Sequence, residues 1–314
     1  MMELVRYVLR RLAYAVVVVW GAFTGAFFLL YIVPGDAAGG LTLGADGGDI
    51  ERMLAEQREL LGLNRPLYVQ YFDALFSALR GDFGDSIYQR RPATDIFFES
   101  FGQTVQLAFL GLFLAVLLGV TLSVVIELID WKWARELLIS LPPVAVSLPP
   151  FIVALVGVQI FAFQLGWIKA FGDKTTLGLV IASLSIAVAG GGQISQLLTV
   201  NLRAALDSPY IETARNWGLS RFDLVVRHAL RAASLPVVTA LGTTVGVMVG
   251  GTVLTETVFS RLGVGRLIVD AVEGRDMPIV LIAVTASALI FVTVNLVVDL
   301  IYPVIDKRIR LDAR

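Results

Sequence analysis

Few residues in this 314-residue chain could do chemistry, and their spacing excludes most of it. There is one histidine, His228, and no cysteine. That excludes a disulfide scaffold, a thiolate zinc site, a cysteine nucleophile and any two-histidine metal motif. None of the lysines (Lys132, Lys169, Lys174, Lys307) follows a glycine, so the Gly-Lys-Ser/Thr loop that cradles ATP phosphates is missing. No Gly-x-Ser-x-Gly elbow occurs, and a Ser/His/Asp triad is not expected from one histidine in a basic loop. Gly263-Val264-Gly265-Arg266 lacks the third glycine of a dinucleotide fingerprint and reads as a turn. The acids inside apolar runs are Glu256, near the end of one run, and Asp299, with Asn295 one turn away. Buried acids of this kind are costly, and a proton relay needs a chain of them. Here each is expected to reach interfacial water or a neighbouring arginine. Neither enzymatic activity nor a bound metal or cofactor is expected of this chain.

The elements that hold these residues follow from composition. Hydrophobic residues make up 57% and charged residues 16% of the chain, against about 45–50% and 25% in soluble domains. A net charge of −1 gives no nucleic-acid-binding face. The composition predicts an all-α integral membrane protein. Six runs are long and apolar enough to span: Leu12–Val33, Thr104–Ile126, Leu137–Leu165, Leu177–Val200, Val237–Leu254 and Pro278–Ile305. The fourth is the weakest, interrupted by Gly190-Gly191-Gly192, Gln193, Ser195 and Gln196. With both termini in the cytoplasm, the inner segments carry fourteen lysines and arginines and the longer outer segments eleven, so the positive-inside rule predicts N-in, C-in topology. Arg6, Arg10 and Arg11 before the first run resemble a signal peptide. The run has 22 residues, beyond the about 7–15 of a signal core, so it is read as a span.

Between the runs, residues 34–103 form an external segment. Ile50, Met53, Leu54, Leu60 and Leu61 fall on one helical stripe, and Tyr68, Tyr71, Phe72, Leu75, Phe76 and Leu79 on a cleaner one that Gly81 and Gly84 end. This segment is expected to be a cap packed on the spans or lying in the interface, and could also dock an external partner. Pro142-Pro143 and Pro149-Pro150 predict a kinked or late-starting third span. Gly242, Gly246 and Gly250 leave a smooth face for helix packing.

The inner segment from Asn201 to Leu235 carries five arginines and the histidine. Pro209, Gly218 and Pro236 divide it into two short helices, the first near Tyr210–Trp217, preceded by Asp207 and Ser208 as candidate N-caps. A short helix on proline- and glycine-broken arms is shaped to enter a cleft in another protein. The same features also fit an ordinary basic inner loop.

Glu212-Thr213-Ala214-Arg215-Asn216-Trp217-Gly218 resembles the EAA loop of bacterial ABC importer permeases. Arg227-His228-Ala229-Leu230-Arg231 and Leu235-Pro236 resemble the dipeptide/oligopeptide/nickel branch. The likeness runs nearly end to end. It includes Pro34-Gly35-Asp36, Leu61-Gly62-Leu63-Asn64-Arg65-Pro66, Gln70-Tyr71, Arg80-Gly81-Asp82-Phe83-Gly84, Glu256-Thr257-Val258-Phe259, Gly263-Val264-Gly265-Arg266, Asn295-Leu296-Val297-Val298-Asp299 and Asp306-Lys307-Arg308-Ile309-Arg310. Thr213, Ala232, Ala37 and Lys307 depart from the usual pattern of the branch.

The resemblance implies a type I ABC importer permease fold, a multi-pass protein of the bacterial cytoplasmic membrane. It would comprise an N-terminal arm and first span (1–33), the external helical segment (34–103) and a five-helix core (104–314) with the EAA loop at 201–235. It also implies a second homologous permease subunit, two ATPase subunits or one fused ATPase chain that bind ATP and Mg, and an external substrate-binding protein. Tyr210, Glu212, Thr213, Ala214, Arg215 and Gly218 would form the ATPase-coupling loop, with His228 bracing the returning arm. Cargo would be di- or oligopeptides, with nickel, a metal chelate or another small solute as the alternative. A non-transporting membrane scaffold is the reading from another class.

Overall fold

A computed structural model describes residues 2–32 and 65–305, and among these the chain is helical, with no strand beyond an isolated bridge between Asp85 and Pro92. The helices are α1 (Met2–Ile32), α2 (Leu67–Leu79), α3 (Ala93–Leu128), α4 (Lys132–Ser147), α5 (Pro150–Val158), α6 (Thr176–Leu206), α7 (Pro209–Asn216), the single turn α8 (Arg221–Asp223), α9 (Leu230–Val258), α10 (Val264–Gly274) and α11 (Met277–Ile305). π-helical turns extend α5 over Gln159–Gln164 and lead into α9 over Leu224–Ala229.

Long apolar runs without internal breakers give long helices. Those of α1, α3 and α6 are long and apolar enough to cross a bilayer by themselves. α3 begins eleven residues before the expected span, because a polar first turn carrying Asp95 and Glu99 is helical too. The third run is not one rod. α4 and the α5 unit meet at a bend of 100°. There Leu148 is extended and Pro149 has φ −57° and ψ 135°, because each precedes a proline whose ring clashes with a helical neighbour. Pro142 and Pro143 lie inside α4 without ending it. Nor does Pro236 divide the inner segment, since it sits within α9. α9 and α11, at 29 residues each, are about 43 Å long.

The chain divides into two compact units, 1–102 with 267–314, and 103–266. In the first, α1 packs along α11, and α2 lies against α1 through Tyr71, which is buried with Phe23, Phe27 and Leu281. The Tyr71 hydroxyl receives Trp20 Nε1–H at 2.9 Å and bonds Thr24 at 2.8 Å. The expected stripe of α2 is wider than this buried seam: Tyr68, Phe72, Phe76 and Leu79 are exposed. The segment carrying Ile50 to Leu61 lies outside the described residues.

The second unit is built around α6, which packs against α4, α5 and α9. This run is the weakest by hydropathy, yet Gly190, Gly191 and Gly192 are buried in one continuous helix. A Cβ on Gly191 would meet the Ala115 carbonyl at 3.1 Å, and one on Gly192 the Ala145 Cβ at 3.0 Å. The glycines are where α3 and α4 come close, as small residues allow between membrane helices. Beside them, Ser123 bonds Ser195 at 3.1 Å and receives the Thr199 hydroxyl at 3.2 Å, so α3 and α6 also share buried hydroxyls.

Candidate functional site

The loop after α6 has the expected short helix. α7 starts with Pro209 in its first turn, where the missing N–H costs nothing. Ser208 occupies the N-cap position in an extended conformation but makes no side-chain cap. Its hydroxyl instead donates back to the Ala205 carbonyl. Asp207 is the C-cap residue of α6. α7 stops in a Schellman turn. Gly218 N–H reaches the Arg215 carbonyl at 3.0 Å and Leu219 N–H the Ala214 carbonyl at 3.4 Å, with Gly218 at φ +83°, where a Cβ is unfavourable.

Burial divides α7 into two faces. Ile211 and Ala214 sink into the core beside Leu202, Leu224 and Ala229. Tyr210, Glu212, Thr213, Arg215, Asn216 and Trp217 are exposed, Trp217 at 79%. Thr213 donates its hydroxyl to the Pro209 carbonyl. The helix is thus anchored by two small-to-medium apolar residues and presents a mixed polar and aromatic face. The returning arm is α8, capped by the Ser220 hydroxyl on Asp223 N–H, and the π turn, whose Leu224, Val225 and Ala229 are buried. His228 is exposed in that turn.

A feature that sequence reading missed lies next to this loop. Glu127, 3% exposed at the end of α3, accepts Arg135 Nη2–H at 2.6 Å and Arg203 Nε–H at 2.8 Å. One carboxylate therefore ties together the ends of α3, α4 and α6. Asp130 pairs with Arg221 of α8. Glu127, Arg135, Arg203, Asp207, Arg215 and Arg221 border a cavity of about 580 Å³ flanking α7. The signal is present in the sequence, as an acid one residue past an apolar run with basic residues on two following segments. Arg135 and Arg203 serve there as topology markers, which conceals their shared partner.

Glu256 does not reach interfacial water, contrary to expectation. It is 1% exposed. Its Oε1 accepts the Thr104 hydroxyl at 2.6 Å, and its Oε2 accepts Gly265 N–H at 2.8 Å and Arg266 N–H at 3.3 Å. Thr104 in turn accepts Val264 N–H at 2.8 Å. These bonds satisfy the free amides that open α10. A Cβ on Gly263 would overlap the Glu256 carboxyl carbon and one on Gly265 the Val253 Cα, so the first glycine makes room for a carboxylate and the second for the backbone of α9. The side chains of Asn295 and Asp299, and the surroundings of Gly242, Gly246 and Gly250, lie outside the described residues.

Among the described residues no group of three or more His, Cys, Asp or Glu could hold a metal ion. Around α7 the structure thus has an exposed polar and aromatic face with a buried ionic clasp behind it.

Known proteins supply the context for that face. Residues 119–311 match the family described as "Binding-protein-dependent transport system inner membrane component", and residues 4–108 match the N-terminal region of such membrane components. The glutathione transport system permease proteins of Shigella boydii and Escherichia coli are 32% identical over 309 residues, 98% of this chain and 99% of theirs. That of Salmonella typhimurium is 32% identical over 307 residues, again 98% and 99%. A solved amino acid ABC transporter with histidines superposes with a TM-score of 0.50 at 18% identity, covering 69% of this chain and 95% of that one. The last likeness concerns fold alone. Together with the family match over most of the chain, these relationships identify it as a member of the binding-protein-dependent transport system inner membrane components, the permease subunits of such importers.

Proposed function

We propose that this chain is the permease of an ATP-driven importer for short peptides, crossing the bacterial cytoplasmic membrane six times with both termini inside. It forms the translocation path with a second, similar permease. Two ATPase subunits, or one fused chain, power the pair, the exposed face of α7 docking in a groove of the ATPase, and an external binding protein delivers cargo. The observation that carries the reading is the split of α7 into a buried anchor, Ile211 and Ala214, and an exposed face from Tyr210 to Trp217. That face sets Tyr210 and Trp217 beside Arg215, and tyrosine, tryptophan and arginine are the side chains enriched at protein–protein interfaces. The peptide assignment follows the glutathione permeases to which the chain is similar along nearly its whole length.

Force would pass from α7 through Ile211 and Ala214 into the core, and through the Glu127 clasp into α3 and α4. The chain lacks a phosphate loop, so ATP and Mg belong to the ATPase partners. The test is co-purification of the tagged chain from its native membrane in a mild detergent. A second permease, ATPase subunits and a peptide-type binding protein should accompany it. Recovery without any ATPase, in detergents that preserve known complexes, would overturn the proposal in favour of a scaffold.

A further inference from the structure

At the end of α6 farthest from α7, about 45 Å along the helix, two turns border a second recess. One precedes α6 and the other joins α9 to α10. The recess has a volume of about 340 Å³, and its lining carries one acid, Asp173, against three cations, Lys174, Arg261 and Arg266, with Gln103 and Phe171 beside them. Arg261 is 8% exposed. Its Nη1–H donates to the Asp173 carbonyl at 3.0 Å, while its Nε–H is buried without an acceptor among the described residues. A buried donor left unmade is costly, and a charged one more so.

The nearby acids do not supply the missing acceptor. Asp173 accepts Lys169 N–H through Oδ2 and Thr175 N–H through Oδ1, both at 2.7 Å. Burial works to raise its pKa, but the bonds from Thr175 and Lys169 and the Lys169 charge override it and hold the carboxyl below its ordinary value. Glu256 has both oxygens engaged by Thr104 and the start of α10. In a guanidinium, Nε–H and the adjacent Nη2–H point the same way and form the side-on fork that a carboxylate accepts.

We infer that this recess is a carboxylate-binding site, in which Arg261 receives the free carboxylate of the incoming solute and exposed Lys174 draws it in. The inference rests on the peptide-importer reading and names the group of the cargo that this chain holds. The volume lies at the small-ligand end of binding pockets, about 300–1,000 Å³. A carboxylate carried on a small solute can be presented end-on to the recess, whose lining includes Arg261.

The experiment uses the assembled transporter in nanodiscs without its binding protein. Saturation-transfer NMR follows a short peptide with a free C-terminal carboxylate, and the same peptide as its C-terminal amide. The free acid should bind the parent complex. Arg261→Gln should weaken that binding about tenfold, the size expected for one lost charge-assisted contact. Lys174→Gln, at the exposed rim, should weaken it less and remove part of its salt dependence, and it keeps the test intact if Arg261→Gln fails to assemble. The amide should bind equally weakly to parent and variants. Equal binding of the free acid to parent, Arg261→Gln and Lys174→Gln would overturn the inference. So would unchanged peptide binding together with lost affinity for the binding protein, which would assign Arg261 to a protein contact. Uptake by the parent complex in proteoliposomes separates the two levels: transport with no Arg261 effect sinks this inference alone, and no transport of either peptide sinks the peptide reading with it.

Discussion

Glu127 Oε1 accepts Arg203 Nε–H at 2.8 Å across 76 residues of sequence, and the same carboxylate holds Arg135. The side chain of the acid is 4% exposed and those of the two arginines 35% and 44%. Removing it strands two half-buried cations beside one another. Glu127→Gln should lower stability by about 1–3 kcal/mol, less than for a fully buried pair because solvent reaches both arginines. Thermal unfolding in detergent measures this. A double-mutant cycle with Arg203→Gln should show coupling, since the two sites share one contact.

Gly218→Ala should cost about 1 kcal/mol, because alanine at φ +83° crowds its Cβ against the backbone. Gly218→Arg adds bulk and charge to the same turn. In reconstituted complexes it should leave ATP hydrolysis running while transport falls, read by measuring both in the same vesicles.

Ser260→Gly should act in the opposite direction. Ser260, at φ 50°, occupies in the turn after α9 the place that Gly218 holds after α7, with Ser260 N–H on the Thr257 carbonyl and Arg261 N–H on that of Glu256. Glycine there should raise stability by up to about 1 kcal/mol, reduced by its freer unfolded chain. A rise in the thermal midpoint checks it.

Glu212→Lys changes only an exposed side chain of α7, so stability should move by no more than about 0.5 kcal/mol. Recovery of the ATPase subunits with the tagged variant should nevertheless drop sharply. Normal recovery and normal uptake would remove Glu212 from the docking face.

Gly263→Ala should destabilise by about 1–3 kcal/mol, since its methyl would overlap the Glu256 carboxyl carbon. The remedy is specific. Adding Glu256→Ala should restore space without restoring stability, because Gly265 and Arg266 N–H then lose their acceptor. Melting curves of the single and double variants distinguish these outcomes.

Much of the helix order is legible in the sequence because apolar length and proline position are local properties. The period of Tyr68–Leu79 alone marks α2, and Pro209 with Gly218 brackets α7. What escapes is every feature made by distant residues. Gly190–Gly192 lower hydropathy and read as an interruption, yet they mark a closely packed stretch of α6, where carbonyls and side chains of α3 and α4 fill the space a Cβ would need. Glu256 reads as an interfacial acid because two of its donors are backbone amides, which no residue code displays. Pro236 reads as a boundary but lies within α9, where tertiary packing outweighs one lost backbone bond.

The pairing of Thr104 with Glu256 spans 152 residues, and it sets a timetable for biogenesis. At about 5–20 residues per second of synthesis, α3 emerges roughly 8–30 s before the carboxylate that Thr104 will bond. During that interval the early helices lack the partner that Thr104 has in the finished fold, and the amides opening α10 arrive only afterwards. Premature termination upstream of residue 256 would thus yield a fragment able to insert but unable to close its own polar contacts, a natural substrate for membrane quality control.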